Sequence, residues 1–118
     1  MKLNWTERIS LTQSGVDRIK AVAGVYRIIH YDKNKDSYCV HYVGQAEDLN
    51  DRLSQHLSGN ETNKCCQRHL DNYTCYFRVA AVSRQADRDG AEVALYNKFK
   101  PTCVERIPDV DPIDINFD

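Results

Sequence analysis

Two β-rich runs joined by a short polar turn, with an amphipathic helical segment directly behind them, constrain this chain more than any other feature. Residues 25–31 and 38–43 are dense in β-branched and aromatic side chains, and residues 32–36 (Asp-Lys-Asn-Lys-Asp) break them apart. That pattern predicts an antiparallel hairpin. With the turn centred on Asn34, Tyr26 stands opposite Tyr42 and Gly24 opposite Gly44. Opposed residues of antiparallel strands project to one face, so both tyrosine hydroxyls would reach one site. A slip of a single residue would send them to opposite faces.

The segment that follows reads as a helix to about Leu57. Asp48 suits the N-cap, and Asp51 three residues on resembles a capping box with a shorter acid. Leu49, Leu53 and Leu57 form the buried stripe, and Gly59 is the expected terminator. Arg52 and His56, four residues apart, make a second stripe that borders the core.

The remainder supplies fewer elements. Residues 1–20 start irregularly, with Trp5 as an anchor and a short helix opening near residues 10–12 that turns Val16 and Ile19 inward. Residues 65–70 read as a short helix capped by Thr62 or Asn63. Residues 74–82 are a third strand, with Cys75, Phe77, Val79 and Ala81 on one face. Residues 83–89 are polar, and a long helix follows to Lys98 or Phe99, its apolar face built from Ala91, Ala94, Leu95 and Phe99. Pro101 stops it. Residues 113–117 alternate in a way that suits either an edge strand or a tail packed on the domain. These elements amount to one domain with three strands, the first two a hairpin, and two main helices.

Bulk properties leave several functions open. A chain of 118 residues suits a single core. No apolar run reaches membrane-spanning length, and the first residues lack a signal-like apolar segment, so a cytoplasmic location is the expectation. Net charge is −1, but residues 105–118 hold five acidic groups and one basic group. The body up to Val104 therefore carries 15 basic and 12 acidic residues. A mildly basic body with an acidic extension can still bind phosphate locally. The five cysteines (39, 65, 66, 75 and 103) are odd in number and come with no secretory signal, so reduced thiols are expected rather than a disulfide framework. Cys65, Cys66 and His69 invite a zinc reading, but no C-x-x-C pair or second ligand pair stands at finger spacing, and small buried hydrophobes are the favoured reading.

The chemistry-bearing residues are Tyr26, Tyr42, Arg52, His56 and Glu92. Phosphodiester hydrolysis needs an activated water, charge stabilisation at the phosphate and help for the leaving oxygen. Arginine offers a fixed cationic fork for phosphate oxygens. Tyrosine or histidine can move the proton, and a magnesium ion held by few carboxylates can serve the charge. Each residue also has a plainer role. The tyrosines can be strand packing, Arg52 can pair with Asp48, His56 can be a solvated helix residue, and Glu92 can cap against Asp89.

In order, the set resembles the GIY-YIG nuclease family. Gly24-Val25-Tyr26 stands for the first tripeptide and Tyr42-Val43-Gly44 for the second. Arg52 and His56 match the family's helix, and Glu92 matches a single glutamate opening a later helix. The resemblance runs from about residue 22 to 104, leaving residues 105–118 as an acidic extension. It implies an α/β fold of the α+β type, a small three-stranded antiparallel sheet flanked by helices, and a metal-dependent DNA endonuclease in which Glu92 ligates Mg2+ (or Mn2+) and Arg52 contacts the scissile phosphate. Tyr26 would then be the leading general base, with Tyr42 and His56 completing the network. Val104 falls where the family commonly places an asparagine, which keeps a catalytically weak or inactive DNA-binding or interaction module as the alternative. DNA is the expected partner, contacted through residues 58–64 and Arg68 if these are more than a solvated connection. A protein partner or homodimer could supply targeting, and the acidic extension could cover the DNA face.

Overall fold

The computed structural model describes residues 1–58 and 63–118. Its elements run β1 (Ile9–Ser10), α1 (Gln13–Val16), β2 (Gly24–Asp32), β3 (Ser37–Ala46), α2 (Leu49–Leu57), α3 (Lys64–Asn72), β4 (Cys75–Ala81) and α4 (Gln85–Phe99). The strands form one antiparallel sheet in the order β1-β4-β2-β3. The sheet thus has four strands where three are predicted. The extra strand is two residues long, too short to show a period in sequence; Ile9 and Ser10 pair with Phe77 and Tyr76.

The hairpin forms, but in another register. Tyr26 pairs with Gly44 and Ile28 with Tyr42, two residues away from the expected alignment. An even offset preserves the face, so the two tyrosines remain on one side as diagonal neighbours. Beyond Ile28 the register shifts again, Ile29 pairing with Val40. His41 is therefore the extra residue of a β-bulge.

Both sheet faces are covered. On one, Tyr26, Ile28, Tyr42, Phe77 and Val79 pack with Leu49 and Leu53 of α2, Val16 and Cys66. On the other, Val25, Val43 and Ala80 pack against Ala91, Ala94 and Leu95 of α4, with Leu3 and Ile115 from the two ends of the chain. The glycines of both tripeptides are required by close approach. A Cβ at Gly24 would lie 2.2 Å from the Ala80 carbonyl oxygen, and one at Gly44 would lie 2.7 Å from the Tyr26 hydroxyl.

Local signals explain most helix ends. Thr12 caps α1, Asp48 accepts from the Asp51 N–H at 2.9 Å, and Asn63 accepts from the Cys66 N–H at 3.1 Å. Gly59 and Thr62 lie outside the described residues. Helix α4 starts at Gln85, five residues before the expected start. Its first turns are polar because buried Arg88 donates to the Val82 and Ser83 carbonyls at the end of β4. Glu92 consequently sits two turns inside the helix and does not open it. Lys100 closes α4 in the left-handed region ahead of Pro101.

Residues 113–117 are a packed tail and not a strand. Asn116 bonds the Leu3 N–H and carbonyl, and Trp5 donates to the Asn116 carbonyl at 2.9 Å. The cysteine expectation is overturned at one pair: Cys65 and Cys103 form a disulfide across 38 residues. Sequence spacing cannot reveal that pairing, because it depends on the end of α4 returning to α3. No helix among the described residues is long and apolar enough to cross a membrane.

Candidate active site

The edge strand β3 is where the chemistry gathers. Tyr42 and Gly44 point to the α2 side of the sheet, while Gln45 points to the α4 side. An open pocket of about 320 Å3 wraps this edge, lined by Tyr42, Gly44, Gln45, Arg52, Glu92 and Glu105, among others. Glu92 reaches it from α4 and Arg52 from α2, so elements from opposite faces of the sheet meet at one rim.

Behind the pocket lies a buried polar chain. The Tyr26 and Tyr42 rings are 5.9 Å apart, and His56 packs edge-on to both. Tyr26 Oη and His56 Nε2 are 2.9 Å apart. Arg52 Nη2 donates to Tyr42 Oη at 3.4 Å.

Electrostatics divide the set. Burial, then the neighbouring Tyr42, pushes Tyr26 well above the ordinary tyrosine value. Burial and the Glu105 carboxylate push Tyr42 up to about 12, with Arg52 working against them. Glu92 is almost fully buried, and that desolvation lifts its carboxyl to about 7, against a bond from Gln45; Asp89 and Glu105 add to the rise. A carboxylate desolvated among other carboxylates is one that a cation would relieve. The oxygen donors at the pocket, from Glu92, Glu105 and Tyr42, suit a hard divalent ion such as magnesium.

All five residues singled out in the sequence are therefore brought together, in two layers. Tyr42, Arg52 and Glu92 line the pocket; Tyr26 and His56 stand behind it. Their plainer pairings are not the ones made. Arg52 bonds Tyr42 and lies 3.7 Å from Glu105, and Asp89 accepts from Gln45 and Gln85 at 2.7 and 2.8 Å. Val104 is exposed and outside the pocket lining; the next residue, Glu105, occupies the rim. Sequence reasoning missed Glu105 and Gln45. The signal for Gln45 was its position directly after Gly44, and for Glu105 its place beside the expected asparagine. Arg68 is exposed and does not line the pocket, and residues 59–62 of the proposed contact loop lie outside the described residues.

The zinc trio is also revised. His69 is grouped with Cys65 and Cys103, and with His30 and His41, while Cys66 belongs to neither group.

Comparisons with known proteins bear on the family and the fold. The family model of the GIY-YIG catalytic domain matches residues 22–114. Similar solved structures include the GIY-YIG N-terminal endonuclease domain of UvrC from Thermotoga maritima bound to its catalytic divalent cation, magnesium. It is 19% identical, with 79% of this chain and 94% of that chain covered and a TM-score of 0.60. A tyrosine-to-phenylalanine point mutant of the same domain, also bound to its catalytic divalent cation, is 21% identical over 80% of this chain and 94% of that chain, again with a TM-score of 0.60. No curated protein sequence gives a significant match. At such identities the solved structures speak to the fold, and the family match spans most of the chain: this protein belongs to the GIY-YIG nuclease family.

Proposed function

We propose that this protein is a divalent-metal-dependent endonuclease that hydrolyses DNA phosphodiester bonds at the β3 edge. The observation that supports the reading most is the convergence of Arg52, Tyr42 and Glu92 on one open pocket from three different elements. Glu92 is the residue to hold the cation, with Tyr42 and Glu105 oxygens within the same lining. When bound, the ion would supply charge stabilisation at the phosphate and at the leaving oxygen.

The chain's own residues divide the remaining work. Arg52 offers its guanidinium fork to a phosphate oxygen, held in place by Tyr42. Tyr42 lines the pocket and Tyr26 does not, so Tyr42 takes the role of orienting the attacking water. Arg52 donates to its oxygen and favours the phenolate, working against the burial and the Glu105 carboxylate that raise it. Tyr26 is buried and reaches the reacting atoms only through Tyr42. It and His56 form the relay that steadies the Tyr42 proton, a more indirect part than the sequence suggested. The DNA target and any targeting partner are left to the loops at the rim and to the acidic extension, whose Glu105, Arg106 and Pro108 border the pocket.

The test is nicking of supercoiled plasmid by the parent and by Glu92→Gln, each with Mg2+, with Mn2+ and with chelator. Metal-dependent nicking that the variant loses supports the reading. Equal cutting by both proteins points to a contaminant and overturns it. DNA binding without cutting by the parent makes the chain a binding module of the same fold.

A further inference from the structure

Behind the pocket, on the same face of the sheet, five sulfur- and nitrogen-bearing side chains meet. Cys65 and His69 are four residues apart on α3 and so share a helix face. Cys103 arrives from the segment after α4, pinned by its N–H to the His41 carbonyl at 2.8 Å. His41 comes from the bulge in β3 and His30 from β2, with Nδ1 atoms 2.8 Å apart. One such contact holds one proton, so one of the two nitrogens keeps a lone pair. The His69 ring lies 4.3 Å from that of His41 and 4.9 Å from that of His30. His30, His41 and His69 have ligand atoms within 4.8 Å of one another, and so do Cys65, His69 and Cys103.

We propose that, once the Cys65–Cys103 disulfide is reduced, Cys65, His69 and Cys103 bind a zinc ion, with the fourth ligand from the His30–His41 pair. A tetrahedral zinc with ordinary bond lengths sets sulfur–nitrogen edges of about 3.6 Å and a sulfur–sulfur edge of about 3.8 Å. His69 Nδ1 already lies 3.4 Å from Cys103 Sγ and 4.0 Å from Cys65 Sγ. Among these three ligands only the two sulfurs must part, and reduction releases them; the fourth moves in from the His30–His41 pair, which is grouped with His69 and not with the sulfurs. His69 Nδ1 also lies 2.8 Å from the Cys65 carbonyl, so ligation moves its proton to Nε2.

The steps balance. A thiol reductant gives the disulfide two electrons and two protons, yielding two thiols and the reductant's own disulfide. Zn2+ then displaces the two thiol protons as both sulfurs bind as thiolates. A purely structural stack of imidazoles is the plainer account. Against it, His30 and His41 are buried polar groups whose Nδ1 atoms face one another beside the His69 ring, an expensive way to fill a core. The disulfide and the ion are alternatives at the same sulfurs, and either one ties α3 and the chain behind Glu105 to the hairpin that carries Tyr42.

The test titrates Co2+ into the full chain after treatment with a phosphine reductant, and into the oxidised chain. The expected result is one tetrahedral cobalt per reduced chain with a thiolate-to-cobalt charge-transfer band, removed by Zn2+, and no such band in the oxidised chain. Glu92→Gln keeps the band, which separates this site from the pocket; Cys39→Ser keeps it, and Cys103→Ser loses it. Zn2+ also raises the Tm of the reduced chain above that of the metal-free reduced chain. Cobalt bound without thiolate absorption in the reduced wild-type chain, or an undiminished band in Cys103→Ser, overturns the proposal.

Discussion

Adjacent residues of β3 serve two different polar clusters. Tyr42 belongs to the pocket, where oxygen donors and Arg52 face solvent around a desolvated carboxylate. His41, one residue earlier, belongs to a closed cluster of imidazoles and sulfur, where burial and neighbouring histidines bring it down to about 3. In a regular strand the two would point to opposite faces. The bulge at His41 puts both on the helix-covered side, where His41 and His56 line one small cavity. The comparison teaches that hardness and hydration, and not distance along the chain, separate the two sites. The open rim of oxygens suits a magnesium-like ion, and the closed nitrogen–sulfur group suits zinc.

The largest expected effect that sharpens this contrast comes from Glu92→Gln. Plasmid nicking should fall by at least about a hundredfold, the scale expected when a metal site loses its main support. The same variant tests the electrostatics. Burial raises the folded Glu92 to about 7 from an ordinary 4.5, so the native state binds this proton more tightly than the unfolded chain does. Metal-free parent therefore loses stability as pH rises from 4.5 to 7, by on the order of 3 kcal/mol. Urea denaturation in chelator should find Glu92→Gln more stable than the parent at pH 8 and similar to it at pH 4. A parent–variant difference that does not change with pH would mean that Glu92 is not desolvated in solution.

Next in size is Gly44→Ala. The new methyl would meet the fully buried Tyr26 ring, which has no room to yield. A cost of about 1–3 kcal/mol is expected in denaturant melts, with nicking reduced further by displacement of the Tyr26 hydroxyl. Retained nicking at parental stability would detach Tyr26 from the site.

Glu105→Gln is expected to act more mildly. Its carboxylate lies 3.7 Å from Arg52 and is partly exposed. Releasing Arg52 should tighten DNA binding about two- to five-fold in a fluorescence titration. Lost nicking with unchanged binding would instead make Glu105 a cation ligand. The smallest effect belongs to Val104→Asn. Because Val104 is exposed and outside the pocket lining, nicking should stay at the parental rate and stability within about 0.5 kcal/mol. A large gain in nicking would show that the asparagine position matters despite this geometry.

Much of the fold was legible because its signals are local. The Asp48 cap, the Leu49 and Leu53 stripe and the β-rich runs each need only a few neighbouring residues. The start of α4 was not legible, since Arg88 reads as loop-like until its carbonyl partners in β4 are in place. The five candidate residues were singled out through their order and types, and the fold brings them together. Their division into a pocket layer and a buried layer was not, because solvent access depends on how α2 packs on the sheet.

The sequence by itself determined a β-hairpin, a capped helix carrying Arg52 and His56, and glycines where backbone must pass close to a neighbour. Local periodicity and capping fix such features whatever the rest of the chain does. Only the tertiary structure decided the hairpin register, the bulge that turns His41 beside Tyr42, the rim position of Glu105 and the meeting of Cys65, His69 and Cys103. Each depends on contacts made when distant segments pack, and side chains that touch only in the folded state leave no periodic trace in the chain.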